Sequence, residues 1–203
     1  LYALAWRYRL TGDPEALGHA HATLDFIRSN FRADEGYWAK LPGQAPLLQN
    51  PHMHFTEACL ALFEAAGEER FLVQARELTE LMRRRFFDGR SLGERFNLDW
   101  TRAEAPFEPG HHFEWAWILA QYQRLSGESL EAETAALVEF AERAVDAEHG
   151  FVSDAADEQA VALRPGSRLW PNTERIKGWL ALFELTGKDP RPAAAASIRL
   201  LLD

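Results

Sequence analysis

Apolar residues recur along this chain at the three- and four-residue spacing that is typical of amphipathic helices. In the stretch 71–86, Leu72, Ala75 and Leu78 fall on one helical face. Four such stretches each end at a glycine, and these glycines recur at intervals of about 55–60 residues: Gly12, Gly67, Gly127 and Gly187. Glycine stops a helix because it adopts the left-handed conformation cheaply. A new helical pattern follows each glycine, so the sequence predicts a series of helical hairpins.

A second kind of break separates one hairpin from the next. The segments are "FRADEGYW" (31–38), "FFDGRSLGERF" (86–96) and "DAEHGFVSD" (146–154). These polar, glycine-containing segments, flanked by aromatic or β-branched residues, predict long turns or small β-hairpins. The repeating unit is therefore helix, tight turn, helix and long loop, with a period of about 57–60 residues.

The two helices of each unit differ in their apolar pattern. The first helix is apolar around much of its circumference ("TEACLALFEAA", "FEWAWILAQYQRL", "RIKGWLALFEL"), whereas the second is more clearly amphipathic. An inner ring of buried helices inside an outer ring of half-exposed helices produces this asymmetry. We therefore predict an all-α fold, an (α/α) toroid, with residues 1–203 forming a single domain. Closing six hairpins would take roughly 350 residues at this period, so we expect about four hairpins here and others beyond both ends.

Composition and charge narrow the class of partner. The formal net charge is −9 and the basic residues are scattered, which argues against a nucleic-acid surface. The sequence contains no run of about 18 uncharged apolar residues, so we expect no membrane span. The single cysteine, Cys59, excludes a disulfide framework and favours a reducing, cytoplasmic location. Because the chain begins with Leu1 and not with Met, the alternative that a signal peptide has been removed is left open.

Polar and aromatic motifs stand at equivalent points of three successive repeats, at the start of an inner helix. They are "QNPHMH" (49–54), "PGHHFEW" (109–115) and "RLWPNTE" (168–174). His54, Glu114 and Glu174 follow one another at one full repeat, which predicts that they converge on one mouth of the toroid. Helix N-termini there favour oxygen-rich or anionic ligands. We take this mouth as the candidate site.

In the first motif, Asn50 and His54 lie four residues apart and share a helical face, which suits two groups that reach for one ligand. Asn50 acting only as a helix N-cap is the alternative, and a structural, hydrogen-bonded histidine is the alternative for His54. His52 points elsewhere and is expected to support the turn.

In the second motif, His111 and Glu114 are three residues apart, so Glu114 can orient the imidazole or stabilise its charge. The alternative for Glu114 is a carboxylate that faces the helix dipole. His112 points away and is expected to be structural.

In the third motif, Trp170 and Glu174 lie four apart, and Trp170 either stacks on a sugar or packs on the helix as a staple. We expect no metal site, because no HExxH run exists and the side chains of His52 and His54 would diverge on a helix.

Together, "QNPHMHFTEACLALFEAAG", "EPGHHFEWAWIL" and "RLWPNTERIKGW" resemble the signature segments of the N-acylglucosamine 2-epimerase superfamily, over essentially all 203 residues. The resemblance implies an (α/α)6 barrel and a sugar isomerase or 2-epimerase. It implies catalytic roles for His111, Glu114, His54 and Glu174, and sugar-binding roles for Asn50 and Trp170. The family's second acid–base histidine would lie beyond Asp203, and an early pocket arginine would lie before Leu1.

The implied reaction is proton abstraction at C2 of a ring-opened aldose, with return of the proton to C1 or to C2. Histidine suits such a base, because its ordinary pKa lies near 7. No cofactor is expected, since the aldehyde is itself the electron sink. The absence of a basic cluster in the motifs favours an unphosphorylated hexose such as mannose.

Two alternatives stay open, a glycoside hydrolase that uses Glu114 and Glu174 and a non-catalytic helical-repeat protein. Homodimerisation is open too.

Overall fold

The structure is a computed structural model and describes residues 1–163 and 166–202. The chain divides into two compact units, the first formed by residues 1–86 and 95–103 and the second by residues 87–94 and 104–203. The first unit contains α1 (Tyr2–Thr11), α2 (Pro14–Asn30), α3 (Gln49–Ala66), α4 (Glu69–Leu81) and a π-helical turn (Met82–Phe86). It also holds the antiparallel strands β1 (Leu47–Leu48) and β2 (Arg95–Phe96). The second unit contains α5 (Pro109–Ser126), α6 (Glu131–Arg143), α7 (Leu169–Thr186) and α8 (Arg191–Leu202).

The predicted glycine stops are confirmed. Each of the four glycines follows the last residue of a helix with a φ between 66° and 78°, the left-handed region. The glycine N–H bonds back to a carbonyl of the last helical turn in every case. A residue with a Cβ would be strained at this φ, so the glycines fix where the first helix of each hairpin ends.

The three long loops are small β-hairpins, as predicted. Each is closed by one antiparallel bridge, and the bridged pairs are Arg32–Tyr37, Phe87–Leu92 and Val145–Val152. The second residue of each bridge has its backbone N–H bonded to a side chain of the following helix. The loops are therefore held by specific side chains.

These anchoring side chains are His52, His112 and Asn172, each one full repeat after the last. His52 Nε2 accepts from Tyr37 N at 2.8 Å, and its Nδ1 donates to Leu48 O at 2.7 Å. His112 makes the same pair of contacts with Leu92 N and Glu108 O. In the third copy the side-chain amide of Asn172 replaces the imidazole, accepting from Val152 N and donating to Arg168 O.

The same three residues therefore perform one structural task, which we call the bridging task. Each is buried, and each joins the preceding loop to the carbonyl of the residue that caps the following helix. A side chain with one donor and one acceptor, four residues into the helix, is what the task requires. This confirms the expectation that His52 and His112 are structural.

Packing inside the first unit places α1 against α2 and α3, and α3 against α4. Its aromatic core surrounds the His52 ring, with Phe86 and Trp100 at centroid distances of 5.3 and 6.3 Å. Gly36 allows this packing, because a Cβ there would meet His52 Nε2 at 2.7 Å. The imidazole thus lies in an apolar environment that contacts it on several sides.

In the second unit α5 packs against α6 and α7, and α7 against α8. The two helices α5 and α7 approach closely at Gly178, where a Cβ would meet the Phe113 side chain at 2.8 Å and its Cα at 3.1 Å. Helix α5 is buried at most positions, as the apolar pattern predicts. Helix α7 buries only one stripe, and its Leu180 and Phe183 are exposed.

Candidate active site

The first motif begins inside α3, because the helix starts at Gln49 and Leu48 is its N-cap. The alternative that Asn50 is the N-cap is therefore wrong. Asn50 is half-buried, whereas the His54 side chain is 52% exposed, with Nδ1 3.5 Å from Glu57 Oε2. His54 lines a largely apolar cavity of about 400 Å³ in the first unit, together with Trp38, Pro51 and Phe55. An exposed imidazole beside a cavity can contact a ligand.

The second motif places His111 in the first turn of α5, where it is buried. Its Nδ1 lies 2.9 Å from Glu94 Oε2, and both side chains are only 9% exposed. The other Glu94 oxygen, Oε1, accepts from the backbone N of Glu108 at 3.2 Å. Glu94 therefore joins the His111 ring to the start of the helix that carries it.

The surroundings of His111 raise its pKa above the usual value. Burial alone would lower the pKa, but the hydrogen bond to Glu94 and the negative charges of Glu94, Glu108 and Glu114 outweigh it. Glu114 is itself buried, and its negative charge is one of the causes of this rise. A catalytic role for Glu114 stays a prediction. The partner that orients Nδ1 is Glu94.

Trp170 covers the start of α5. Its ring lies 5.3 Å from the His111 ring at an interplanar angle of 35°. Gly110 makes room for the indole, because a Cβ there would lie 2.5 Å from the ring. The Arg168 guanidinium lies 5.2 Å from the ring centroid and pairs with Glu108 and Asp154. Trp170 therefore packs on a neighbouring helix, and its use as a sugar-stacking surface stays a prediction.

Glu174 lies one turn further along α7, with a side chain that is 13% exposed. Lys177 Nζ is 2.7 Å from its Oε2. The contact is an ion pair within one helix turn. A catalytic role for Glu174 also stays a prediction.

Glu94, Glu108 and His111 bring three possible ligand atoms within 4.8 Å of one another. Hydrogen bonds between Glu94 and both neighbours, and the ion pair of Glu108 with Arg168, account for this spacing. We therefore assign the three side chains no metal. The expectation that the site needs none stays a prediction.

Sequence reasoning missed Glu94 because it lies well before the motif that carries His111, in a loop without periodicity. A signal was present in the repeat. Asp154 follows Val152 by two residues, just as Glu94 follows Leu92. Asp154 Oδ1 accepts from the backbone N of Arg168 at 2.8 Å, so it meets its helix start as Glu94 does.

The fold class is that of the (α/α)6-barrel sugar epimerases, as predicted from the sequence. D-mannose isomerase superposes with a TM-score of 0.87 at 19% identity, over 98% of this chain and 59% of that one. Cellobiose 2-epimerase from Spirochaeta thermophila DSM 6192 also gives 0.87, at 25% identity, over 100% of this chain and 56% of that one.

The sequence comparisons make the assignment more specific. The profile of the N-acylglucosamine 2-epimerase (GlcNAc 2-epimerase) family matches residues 1–200, and the chain belongs to this family. Mannose-6-phosphate isomerase of Rhizobium meliloti (strain 1021) is 37% identical over 171 residues, which cover 77% of this chain and 43% of that protein. The chain thus spans about half the length of its relatives. In the described part of the chain, no helix is both long and apolar enough to cross a membrane.

Proposed function

We propose that this chain carries part of the acid–base site of an aldose isomerase or 2-epimerase, with His111 as a base that removes the proton at C2. One observation carries the proposal: a buried imidazole is hydrogen-bonded to a carboxylate at the start of a helix, beside an aromatic ring. Membership of the 2-epimerase family supports the same chemistry.

The chemistry follows from the acidity of the substrate. A C–H next to an aldehyde is weakly acidic, so its removal needs a base whose pKa lies near neutrality and stabilisation of the enediolate oxygen. His111 has a pKa above the usual histidine value, which makes it a stronger base once it is deprotonated. Return of the proton to C1 gives a ketose, and return to the opposite face of C2 gives an epimer.

The sugar is proposed to be an unphosphorylated hexose such as mannose. The name of the Rhizobium relative makes mannose 6-phosphate the first alternative. Arg168 is a cation close to Trp170, and two carboxylates, Glu108 and Asp154, already balance its charge. A phosphate at that point would compete with both, which favours the neutral sugar.

The proposed roles of the other predicted residues are electrostatic support from Glu114, and contacts to sugar hydroxyls from Asn50 and His54. Trp170 and Glu174 are proposed to form a further wall of the site. We also propose a cytoplasmic location, since the only cysteine, Cys59, is buried and unpaired. Size-exclusion chromatography with light scattering would determine whether the protein forms a homodimer.

The test is proton NMR of D-mannose in D2O with the full-length protein, beside His111→Ala and the control His149→Ala, which changes an exposed ring. Loss of the C2 proton signal, or appearance of fructose or glucose, is expected with wild type and the control and not with H111A. Mannose 6-phosphate, N-acetylmannosamine and cellobiose extend the panel. No exchange with any sugar would contradict the proposal.

The hydrolase alternative predicts a different pattern. New reducing ends would appear from an oligosaccharide, and Glu114→Gln and Glu174→Gln would both abolish that release while His111→Ala would not. The non-catalytic alternative predicts no sugar turnover in any of these assays.

A further inference from the structure

We propose that Glu94 is the positioning residue for His111: one of its carboxylate oxygens holds Nδ1 as the donor and thereby leaves the neutral imidazole lone pair on Nε2. The kinetic part of this inference rests on the function proposed above. The structural part, the tautomer of His111, can be tested without any substrate.

The tautomer follows from the two contacts of Glu94. A carboxylate offers only acceptor oxygens, so the 2.9 Å contact with Oε2 requires a proton on His111 Nδ1. In a neutral imidazole the second nitrogen, Nε2, then carries the lone pair. A base that removes a C–H proton needs that lone pair fixed on one known atom.

The position of Glu94 is itself fixed by the neighbouring histidine. Leu92, two residues earlier, has its backbone N held by His112 Nε2 at 2.9 Å. The loop is also closed by the Phe87–Leu92 bridge. Glu94 is therefore delivered to His111 by a loop that His112 anchors. The two neighbouring histidines therefore have different roles. His112 anchors the loop, and Glu94 of that loop is hydrogen-bonded to His111.

The third repeat contains a natural comparison. Asp154 stands where Glu94 stands and accepts from the backbone N of Arg168, the residue equivalent to Glu108. Position 171, equivalent to His111, is a proline. The shorter Asp154 thus occurs in the repeat that has no histidine to orient, and the longer Glu94 occurs in the repeat that has His111. The extra methylene of Glu94 is what its second contact uses.

The charges that face His111 come from each element packed against it. Glu94 lies on the loop, Glu108 is the N-cap of the helix that carries His111, and Glu114 lies on that helix. Helix α7 contributes Trp170 at its start, with Arg168 paired to Glu108. Of these groups, Glu94 is the one with a hydrogen bond to Nδ1, so its removal changes both tautomer and charge.

Two substitutions separate the two contacts of Glu94. Glu94→Gln has one acceptor oxygen, and the backbone N–H of Glu108 can only donate, so we expect the amide oxygen to face Glu108. The amide NH2 then faces Nδ1 and forces the lone pair onto that atom, which moves the proton to Nε2. Glu94→Asp keeps the charge and the contact to Glu108, as Asp154 does, but falls short of His111.

The measurement is 15N–1H NMR of the histidine rings in the full-length protein, with the His111 signals identified by their loss in His111→Asn. Wild type and the control Glu139→Gln, an exposed carboxylate on α6, should show the proton on Nδ1. E94Q should show it on Nε2, with titration at lower pH, because a negative charge and its hydrogen bond are gone. E94D should show a mixture of tautomers.

In the sugar assay, E94Q should lower kcat by roughly 10²-fold or more with little change in KM, since the substrate still binds but the base lone pair is misplaced. The acidic limb of the kcat/KM profile should also move to lower pH. An unchanged His111 tautomer and titration in both E94Q and E94D would overturn the inference. If the tautomer responds as expected while no sugar is turned over by wild type, the inference stands and the proposed function falls.

Discussion

At the scale of single residues, the three side chains that perform the bridging task show that either an imidazole or an amide can make the same pair of hydrogen bonds. His52 and His112 use an imidazole, and Asn172 uses an amide, in the same register of the repeat. The two chemistries differ in one respect, because an imidazole can take up a proton and an amide cannot. The first copy is therefore sensitive to acid in a way that the third is not.

The pKa of His52 is lowered to about 4, because burial penalises the charged form; the hydrogen bond to Leu48 O opposes this only in part. A depressed folded-state pKa means that stability is fully present above the unfolded pKa of about 6.5 and is lost as the pH falls towards 4. We expect His52 to remove about 2–3 kcal/mol of unfolding free energy between pH 7.5 and pH 4.5.

The variant that tests this is His52→Asn, because the third repeat shows an amide in the same position. H52N should fold and should lack the His52 share of the acid-induced loss, as measured by urea denaturation at both pH values. His19→Asn, an exposed ring on α2, is the matched control and should titrate like wild type. An equal loss of stability in wild type and H52N would show that the protonation of His52 does not matter.

Gly110 tests the role of Trp170 at the same scale. A methyl group there would lie 2.5 Å from the indole and 3.1 Å from Pro171 Cβ, so the ring that packs against His111 must shift. We expect Gly110→Ala to lower kcat/KM for the sugar and, through overpacking, to cost about 1–2 kcal/mol. Gly18→Ala is the control, since a Cβ there meets nothing within 4 Å. G18A should gain about 0.5–1 kcal/mol in thermal unfolding.

The comparison of G110A with G18A also tests whether the indole of Trp170 has to stay where it is. If G110A kept full activity and G18A and G110A were equally stable, the indole would be free to move and would contribute nothing to the placement of His111. Trp170→Phe, which keeps an aromatic ring of smaller size, then identifies the contribution of Trp170 to the tryptophan fluorescence of the protein.

At the scale of helices, one buried arginine ties three of them together. Arg175 of α7, 5% exposed, bonds bidentately to Glu142 of α6, and its Nη1 contacts Ser197 Oγ of α8 at 3.4 Å. Trp179 Nε1 donates to the same carboxylate at 2.8 Å. The helices meet here through charge-assisted hydrogen bonds as well as through apolar packing.

We expect Glu142→Gln to destabilise the protein by about 3 kcal/mol, because it leaves the Arg175 charge buried without a counter-ion. Partial exposure of Glu142 keeps the cost at the lower end of the range for buried pairs. Urea denaturation measures it, with Glu139→Gln, exposed on the same helix, expected within about 0.5 kcal/mol of wild type.

A double variant separates charge from packing. Adding Arg175→Met to E142Q removes the unpaired charge, so the pair of changes should cost less than E142Q alone. If the double variant were the less stable protein, the hydrogen bonds of the arginine and not its counter-ion would be the main contribution.

The same scale shows which elements the sequence could predict. Helix ends were predictable because the left-handed φ at Gly67 or Gly127 admits little besides glycine. The burial of most of α5 was predictable from its apolar pattern. The exposure of Phe183 on α7 was not, because the apolar character of a residue does not show which element packs against it. The apolar periodicity of the helices could not identify Glu94, because it lies in a loop. The repeat makes Glu94 equivalent to Asp154, but the contact of Glu94 with His111 depends on the geometry of the loop.

At the scale of the whole molecule, the period of the repeat carried most of the information. It located the hairpins, the loops and the histidine and carboxylate motifs without any relative for comparison. It pointed to His54, Glu114 and Glu174 as one series, whereas the series that shares a structural task is His52, His112 and Asn172. A shared spacing identifies equivalent positions, but the hydrogen-bonding partners decide what those positions do. That the three motifs meet at one mouth, in a single domain, stays a prediction.

The bridging residues have a consequence for how such proteins diversify. Each one holds both ends of the loop that follows its β-bridge, at Tyr37 and Leu48 in the first copy. The segment between the two ends can be lengthened or exchanged while the ends stay together. Doubling the number of residues in such a loop costs only about 0.6 kcal/mol in closure entropy. The parts of these loops that make no contact of the kind Glu94 makes with His111 can therefore vary, one repeat at a time, while the helices remain in register.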